Sequence, residues 1–244
     1  MVAFVAGATG YVGQAVVRAL VAREQKVVAH VRSDSAELDA WRLRFGQVGV
    51  SVDTTPWRAD AMNATLSALR PQQVFALLGT TRARATALQT AGGDAAAASY
   101  EAVDYGLTRQ LLDACTAASP TPAFIYLSSQ GVHAGALGAY LAARWRLETA
   151  LRASGLVAVI ARPAIITGED RAESRTGERI AATVSDAALA VLASLGMGKL
   201  RDRYGSIDAD SLAWGLVEAG LSAREGCVER TADQLRPPRD GAKA

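Results

Sequence analysis

Short apolar runs alternate with longer amphipathic segments along most of this chain, the pattern of βαβ units whose parallel strands are covered on both faces. Six runs rich in apolar or β-branched residues predict strands over Val2–Ala6, Lys26–Val31, Gly49–Thr54, Val74–Leu78, Ala123–Leu127 and Leu156–Ala161. Between them, helices are predicted over Val12–Arg23, Asn63–Leu69, Ala97–Ala117 and Leu137–Ser154; alanine, the best helix former, dominates these segments. The alternation predicts an α/β fold, a Rossmann-type doubly wound parallel sheet. After Arg162-Pro163 it loosens into a polar stretch Gly168–Glu178, a helix Ile180–Leu195, a short strand Tyr204–Ile207 and a helix Ala209–Gly220. Residues 168–230 are therefore expected to contribute a small C-terminal substrate-covering lobe. The last residues, 231–244, are expected to form a flexible tail, since Arg236–Ala244 has almost nothing apolar to bury.

A length of 244 residues suits one large α/β domain with a full core, so 1–244 is read as a single domain. With a net charge of +2 and Lys and Arg scattered among Asp and Glu, the chain has no basic run, which disfavours nucleic acid as a partner. Cys115 and Cys227 are the two cysteines and form no CxxC pattern, which fits a reducing compartment. Gly7, Gly10 and Gly13 interrupt the apolar N-terminus and no basic leader precedes it. A cytoplasmic protein without a membrane span is expected. Two histidines, His30 and His133, are too few for a histidine metal cluster, and no metal site is expected.

The first strand runs into Gly7-Ala8-Thr9-Gly10-Tyr11-Val12-Gly13 and then into a helix. In that context the glycines have separate uses: a sharp exit from the strand at Gly7, close approach of a diphosphate at Gly10, and close helix–sheet packing at Gly13. The helix start adds unpaired N–H groups and the positive dipole end. The turn therefore reads as the pyrophosphate site of a nicotinamide dinucleotide. The residue that reads the adenosine ribose belongs at the end of the second strand, where Arg32 stands. A guanidinium grips a 2′-phosphate with two parallel bonds, so NADP is expected, while Asp34 leaves NAD open.

These residues resemble the short-chain dehydrogenase/reductase superfamily, in its extended or atypical branch, over about Val2 to Gly168. Leu78-Gly79-Thr80-Thr81-Arg82 is similar to the branch's loop by the cofactor, and Val103-Asp104-Tyr105 stands where a helix usually carries Val-Asn. Tyr126-Leu127-Ser128-Ser129 resembles the strand running into the catalytic serine, Tyr140-Leu-Ala-Ala-Arg144 the Tyr-x-x-x-Lys helix, and Arg162-Pro163 the Arg-Pro after the sixth strand. The set looks most like the Tat-interacting oxidoreductase subgroup.

The resemblance implies an NADP-dependent oxidoreductase acting on a small carbonyl or alcohol. Tyr140 is then the proton donor, Ser129 holds the carbonyl oxygen, and Arg144, at i+4 on the same helix face, supports tyrosine and ribose. Leu78, Gly79, Thr80, Thr81, Arg144, Arg162 and Pro163 join the glycine turn and Arg32 as cofactor contacts. Arg144 replaces a lysine; it keeps the charge but does not give up a proton. A non-catalytic NADP(H) sensor and, less favoured, a nucleotide-sugar epimerase or dehydratase are the competing expectations. Asp104 reads as a helix-surface acid as readily as a member of a proton relay, and His133 as a solvent-facing loop residue. No G-x-S-x-G elbow occurs, which argues against a serine hydrolase.

Overall fold

In the computed structural model, residues 1–80, 90, 99–167 and 205–238 are described. Strands β1 (Val2–Ala6), β2 (Lys26–His30), β3 (Ser51–Asp53), β4 (Gln73–Ala76), β5 (Ala123–Leu127) and β6 (Ala158–Arg162) fall within or beside the six expected runs. Helices α1 (Tyr11–Val21), α3 (Ala59–Leu69), α4 (Thr108–Ala117) and α5 (Ala139–Ala153) lie between them. A π-helical segment, Tyr100–Leu107, leads directly into α4 and is capped by the Ser99 hydroxyl, which accepts from the Ala102 N–H at 3.1 Å.

Two elements of the main layers go beyond the expected set. Helix α2 (Leu38–Gly46) buries Trp41 and Phe45 and packs the half-buried Leu38 against the same core, a stripe of three apolar positions too short to stand out among the charged residues between them. Strand β9 (Cys227–Thr231) has no apolar run because it is a half-exposed edge strand. It nevertheless completes a seven-stranded sheet of order β3-β2-β1-β4-β5-β6-β9. Every neighbouring pair in it is parallel.

Alternation along each strand divides the core. Val5, Ala29, Phe75, Ile125 and Val159 face α1, α2 and helix α6 (Ala209–Ser222). Phe4, Val74, Phe124, Tyr126 and Ile160 face α3, α4 and α5. Gly215 lets α6 lie directly on the turn Ala232–Leu235: a Cβ there would sit 2.2 Å from the Leu235 carbonyl oxygen.

These contacts redraw the C-terminal expectation. Within 168–230, α6 and β9 belong to the main α/β layers, while residues 168–204, with the predicted Gly168–Glu178 stretch and Ile180–Leu195 helix, lie outside the described residues. Of the predicted strand at Tyr204–Ile207, Tyr204 lies outside the described residues and Ile207 alone falls in a strand, β8 (Ile207–Asp208), paired in parallel with β7 (Ile166–Thr167). The tail does not begin at 231. Thr231 ends β9, Ala232 and Leu235 are buried, and Arg236 donates to the Gly205 and Ser206 carbonyls at 2.9 and 2.6 Å. Among the described residues, no helix is long and apolar enough to cross a membrane.

Candidate functional site

The strand order reverses between β1 and β4, and the crevice at that switch point is where doubly wound sheets place their ligands. Gly7 stands there with φ +85°, a left-handed conformation that costs glycine nothing. A Cβ on Gly7 would lie 2.6 Å from the Leu77 carbonyl oxygen, and one on Gly13 only 2.0 Å from the Gly7 carbonyl oxygen. The strand end, the loop after β4 and the first turn of α1 therefore touch backbone to backbone.

The turn fits a diphosphate. Gly10 is the N-cap of α1 and contributes no capping side chain, and the first turn of α1 carries no acidic residue. Its N–H groups and the dipole's positive end are thus offered to an anion rather than to the protein's own carboxylates. Ala8 is buried beneath the turn, the Thr9 carbonyl accepts from Gln14 Nε2 at 3.0 Å, Val12 packs into the core, and the Tyr11 hydroxyl donates to the Thr167 carbonyl at 3.2 Å. Arg32 lies just beyond β2, its side chain 40% exposed, and Nη1 meets Asp34 Oδ2 at 3.1 Å.

From Leu77 the loop continues through Leu78 and Gly79 to Thr80, whose N–H donates to Asp104 Oδ2 at 3.0 Å. Asp104 is not a surface acid. Its side chain is 1% exposed, and its other oxygen receives Arg144 Nη2 at 2.9 Å. Arg144 Nη1 donates to the Leu127 carbonyl and to the Tyr126 hydroxyl, and the guanidinium carbon lies 4.6 Å from the centre of the Tyr140 ring. Tyr100, at the start of the π-helical segment, packs edge-on against the same ring, 5.2 Å between centres.

Burial alone would lower the Arg144 pKa, but Tyr126, Tyr140 and Asp104 hold it above the ordinary arginine value. Burial lifts the Asp104 carboxyl above the usual carboxylate range, against the pull of Arg144 and the Thr80 N–H. Arg144 Nε is buried with no hydrogen-bond partner among the described residues.

The two serines after β5 have different surroundings. Ser128 is buried and donates to Glu148 Oε1 at 2.6 Å, whereas Ser129 is half-buried and donates to the Gln130 carbonyl at 3.2 Å. Glu148, fully buried on α5, also receives Arg162 through Nε at 3.0 Å and through Nη2, and Arg152 Nη2 at 3.0 Å. Arg162 is further paired with Glu229 at 2.9 Å, and the Pro163 carbonyl accepts from the Gln130 N–H at 3.0 Å. The contacts of Arg162 and Pro163 thus run to Glu148, Glu229 and Gln130. A cavity of about 420 Å³ beside this network is lined by Val132, His133, Trp145, Thr149, Arg152, Arg162 and Glu229. His133 is exposed and accepts from the Gly135 N–H at 3.1 Å. Thr81 lies outside the described residues.

The structure therefore brings the glycine turn, Leu78–Thr80, Arg144 and Tyr140 to one end of the sheet. Asp104 stands out in the sequence only as a departure from a pattern; Glu148, which holds Ser128, Arg152 and Arg162, carries no sequence signal, because an acid within an Arg-rich amphipathic helix reads as solvent-facing.

A family pattern described as NAD(P)H-binding matches residues 7–195. Among solved structures, UDP-glucose 4-epimerase of Thermotoga maritima with UDP-glucose superposes with a TM-score of 0.63 at 16% identity, over 99% of this chain and 87% of that one. The UDP-glucose 4-epimerase of Thermus thermophilus in complex with NAD gives 0.60 at 14% identity, over 96% and 81%. A nucleoside-diphosphate-sugar epimerase from Pseudomonas aeruginosa gives 0.59 at 20% identity, over 95% and 72%. No curated protein matches the chain in sequence.

Proposed function

The chain belongs to the NAD(P)H-binding family, and from that premise we propose that it is an NADP-dependent oxidoreductase of the atypical short-chain dehydrogenase/reductase type, reducing a small carbonyl or oxidising the matching alcohol. One observation carries the reading: an unbroken series of contacts runs from Gly7 to Leu77, through Gly79 and Thr80 to Asp104, and through Arg144 to Tyr140. The turn that holds the dinucleotide and the tyrosine that serves the reaction thus share one rigid edge.

In this reading residues 7–13 hold the pyrophosphate and Arg32 reads the 2′-phosphate, exchanging its exposed partner Asp34 for a better one. When bound, the nicotinamide supplies or takes up the hydride. Tyr140 moves the proton at the substrate oxygen, and Ser129, whose hydroxyl stands outside the Glu148 network, donates the second hydrogen bond to it. Arg144 supports the tyrosine from behind its ring. NADPH consumption against a panel of small aldehydes and ketones, with UDP-glucose included, tests the proposal. Tyr140→Phe is expected to lower kcat about 100-fold or more with NADPH affinity unchanged. Arg32→Ala is expected to weaken NADPH binding by about 10- to 100-fold relative to NADH, the loss of charged hydrogen bonds to a phosphate.

A second reading, a non-catalytic NADP(H) sensor, is favoured by the way Asp104 neutralises Arg144, so that the cation beside Tyr140 is already matched by a buried acid. Tight NADPH binding with no turnover on any panel member supports it. A large gain of reductase activity in Arg144→Lys points instead to a degenerate catalyst.

A further inference from the structure

We propose that Asp104 is a positioning residue for the cofactor: by accepting the Thr80 N–H it holds the loop after β4 in the conformation that receives the nucleotide. The inference rests on reading Leu78–Thr80 as a cofactor contact. The loop is clamped at two points. At its start the Leu77 carbonyl abuts Gly7, and at Thr80 the backbone N–H is tethered to Asp104 Oδ2 at 3.0 Å.

Asp104 belongs to a segment wound more loosely than an α-helix, with i→i+5 hydrogen bonds, a form concentrated at functional positions. That segment and α5 are fastened along their length. Tyr100 meets Tyr140, Glu101 meets Arg146 at 2.7 Å, and Asp104 meets Arg144. A loop pinned to Asp104 is therefore fixed to the helix that carries Tyr140.

The chemistry of the donors explains why an acid stands here beside an arginine. Both of these partners of Asp104 donate, Thr80 N–H to one oxygen and Arg144 Nη2 to the other. An asparagine has one carbonyl oxygen and would turn its amide donors toward one of them. Asp104 and Arg144 thus satisfy one another at the two positions where the resemblance led one to expect Asn and Lys.

Removing Asp104 alone strands a buried guanidinium and threatens the fold, so the test uses two double variants that both discharge the pair. In D104N/R144M the side chain at 104 still offers an oxygen to Thr80; in D104L/R144M it does not, and a buried pair replaced by apolar groups of similar volume keeps its stability. NADPH dissociation constants are measured by nucleotide fluorescence, with hydrogen exchange at the Thr80 amide as a direct report on the tether. D104L/R144M is expected to bind NADPH about tenfold more weakly than D104N/R144M and to exchange faster at Thr80. Equal dissociation constants overturn the proposal even if exchange differs, because the tether then has no bearing on the cofactor. A wild-type protein that binds neither NADPH nor NADH overturns the functional reading itself.

Discussion

Gly13→Ala is the sharpest perturbation of the Gly7–Gly13 turn. The added Cβ would lie 2.0 Å from the Gly7 carbonyl oxygen, 2.8 Å from its carbon and 2.9 Å from the Ala8 Cα. All three are backbone atoms, so no side chain can swing aside. To reach even 3.0 Å from the oxygen the first turn of α1 must retreat by about 1 Å, and overpacking of this kind costs about 1–3 kcal/mol. Better helix propensity returns about 1 kcal/mol. At the upper end of that range, expected for a backbone-on-backbone clash, a net loss of about 2 kcal/mol remains, or a fall in Tm of about 4–8 °C for a domain of this size.

The same retreat separates the first-turn N–H groups from the Gly7 carbonyl, so NADPH affinity is expected to drop with Tm. Thermal unfolding by circular dichroism and fluorescence titration of NADPH measure the two effects. Gly46→Ala is the control. It ends α2 with nothing within 4 Å of an added Cβ, and is expected to be neutral or stabilising by up to about 1 kcal/mol. A Gly13→Ala protein with the Tm and NADPH affinity of the parent would refute the close packing of turn and helix.

Other consequences follow from buried polar groups. Glu148→Leu removes the common acceptor of Ser128, Arg152 and Arg162, and breaking a buried pair from one side costs about 3–5 kcal/mol. Because Glu229 still holds both arginines, the lower end is expected, and a chemical-denaturation loss below about 1 kcal/mol would contradict the network. The pKa of His30 is lowered from 6.5, chiefly by burial and against the Thr55 carbonyl and Asp53. The unfolded chain therefore binds its proton first, so this contribution to stability is complete above pH 6.5 and is lost as pH falls through 6.5 toward the folded value. Urea midpoints between about pH 7 and pH 5 should fall, and His30→Gln should flatten that slope.

The chain's local physics made most of the sheet and the strand–turn–helix around Gly7–Gly13 legible. Parallel strands covered on both faces must be short continuous apolar runs, and a strand, three spaced glycines and a helix leave few uses other than cradling an anion. The same rules missed α2, a nine-residue helix that packs just Leu38, Trp41 and Phe45 on the core, and β9, where Cys227–Thr231 pairs through its backbone with side chains half exposed. They also placed residues 231–235 in a tail, since a turn held by two buried side chains, Ala232 and Leu235, has no period to read.

At the site the division is sharper. Sequence alone determined that Tyr140 and Arg144 share a helix face and that Ser128 and Ser129 follow a buried strand. Tertiary structure decided that Arg144 is matched by an acid 40 positions earlier and that Asp104 tethers a loop 24 positions before itself. It decided too that Glu148 engages Ser128 and leaves Ser129 outside the network. Apolar periodicity tells which face of an element is buried, because burial of hydrocarbon is non-directional. A buried charge requires particular partners at particular angles, and those are set only when separate elements close on one another.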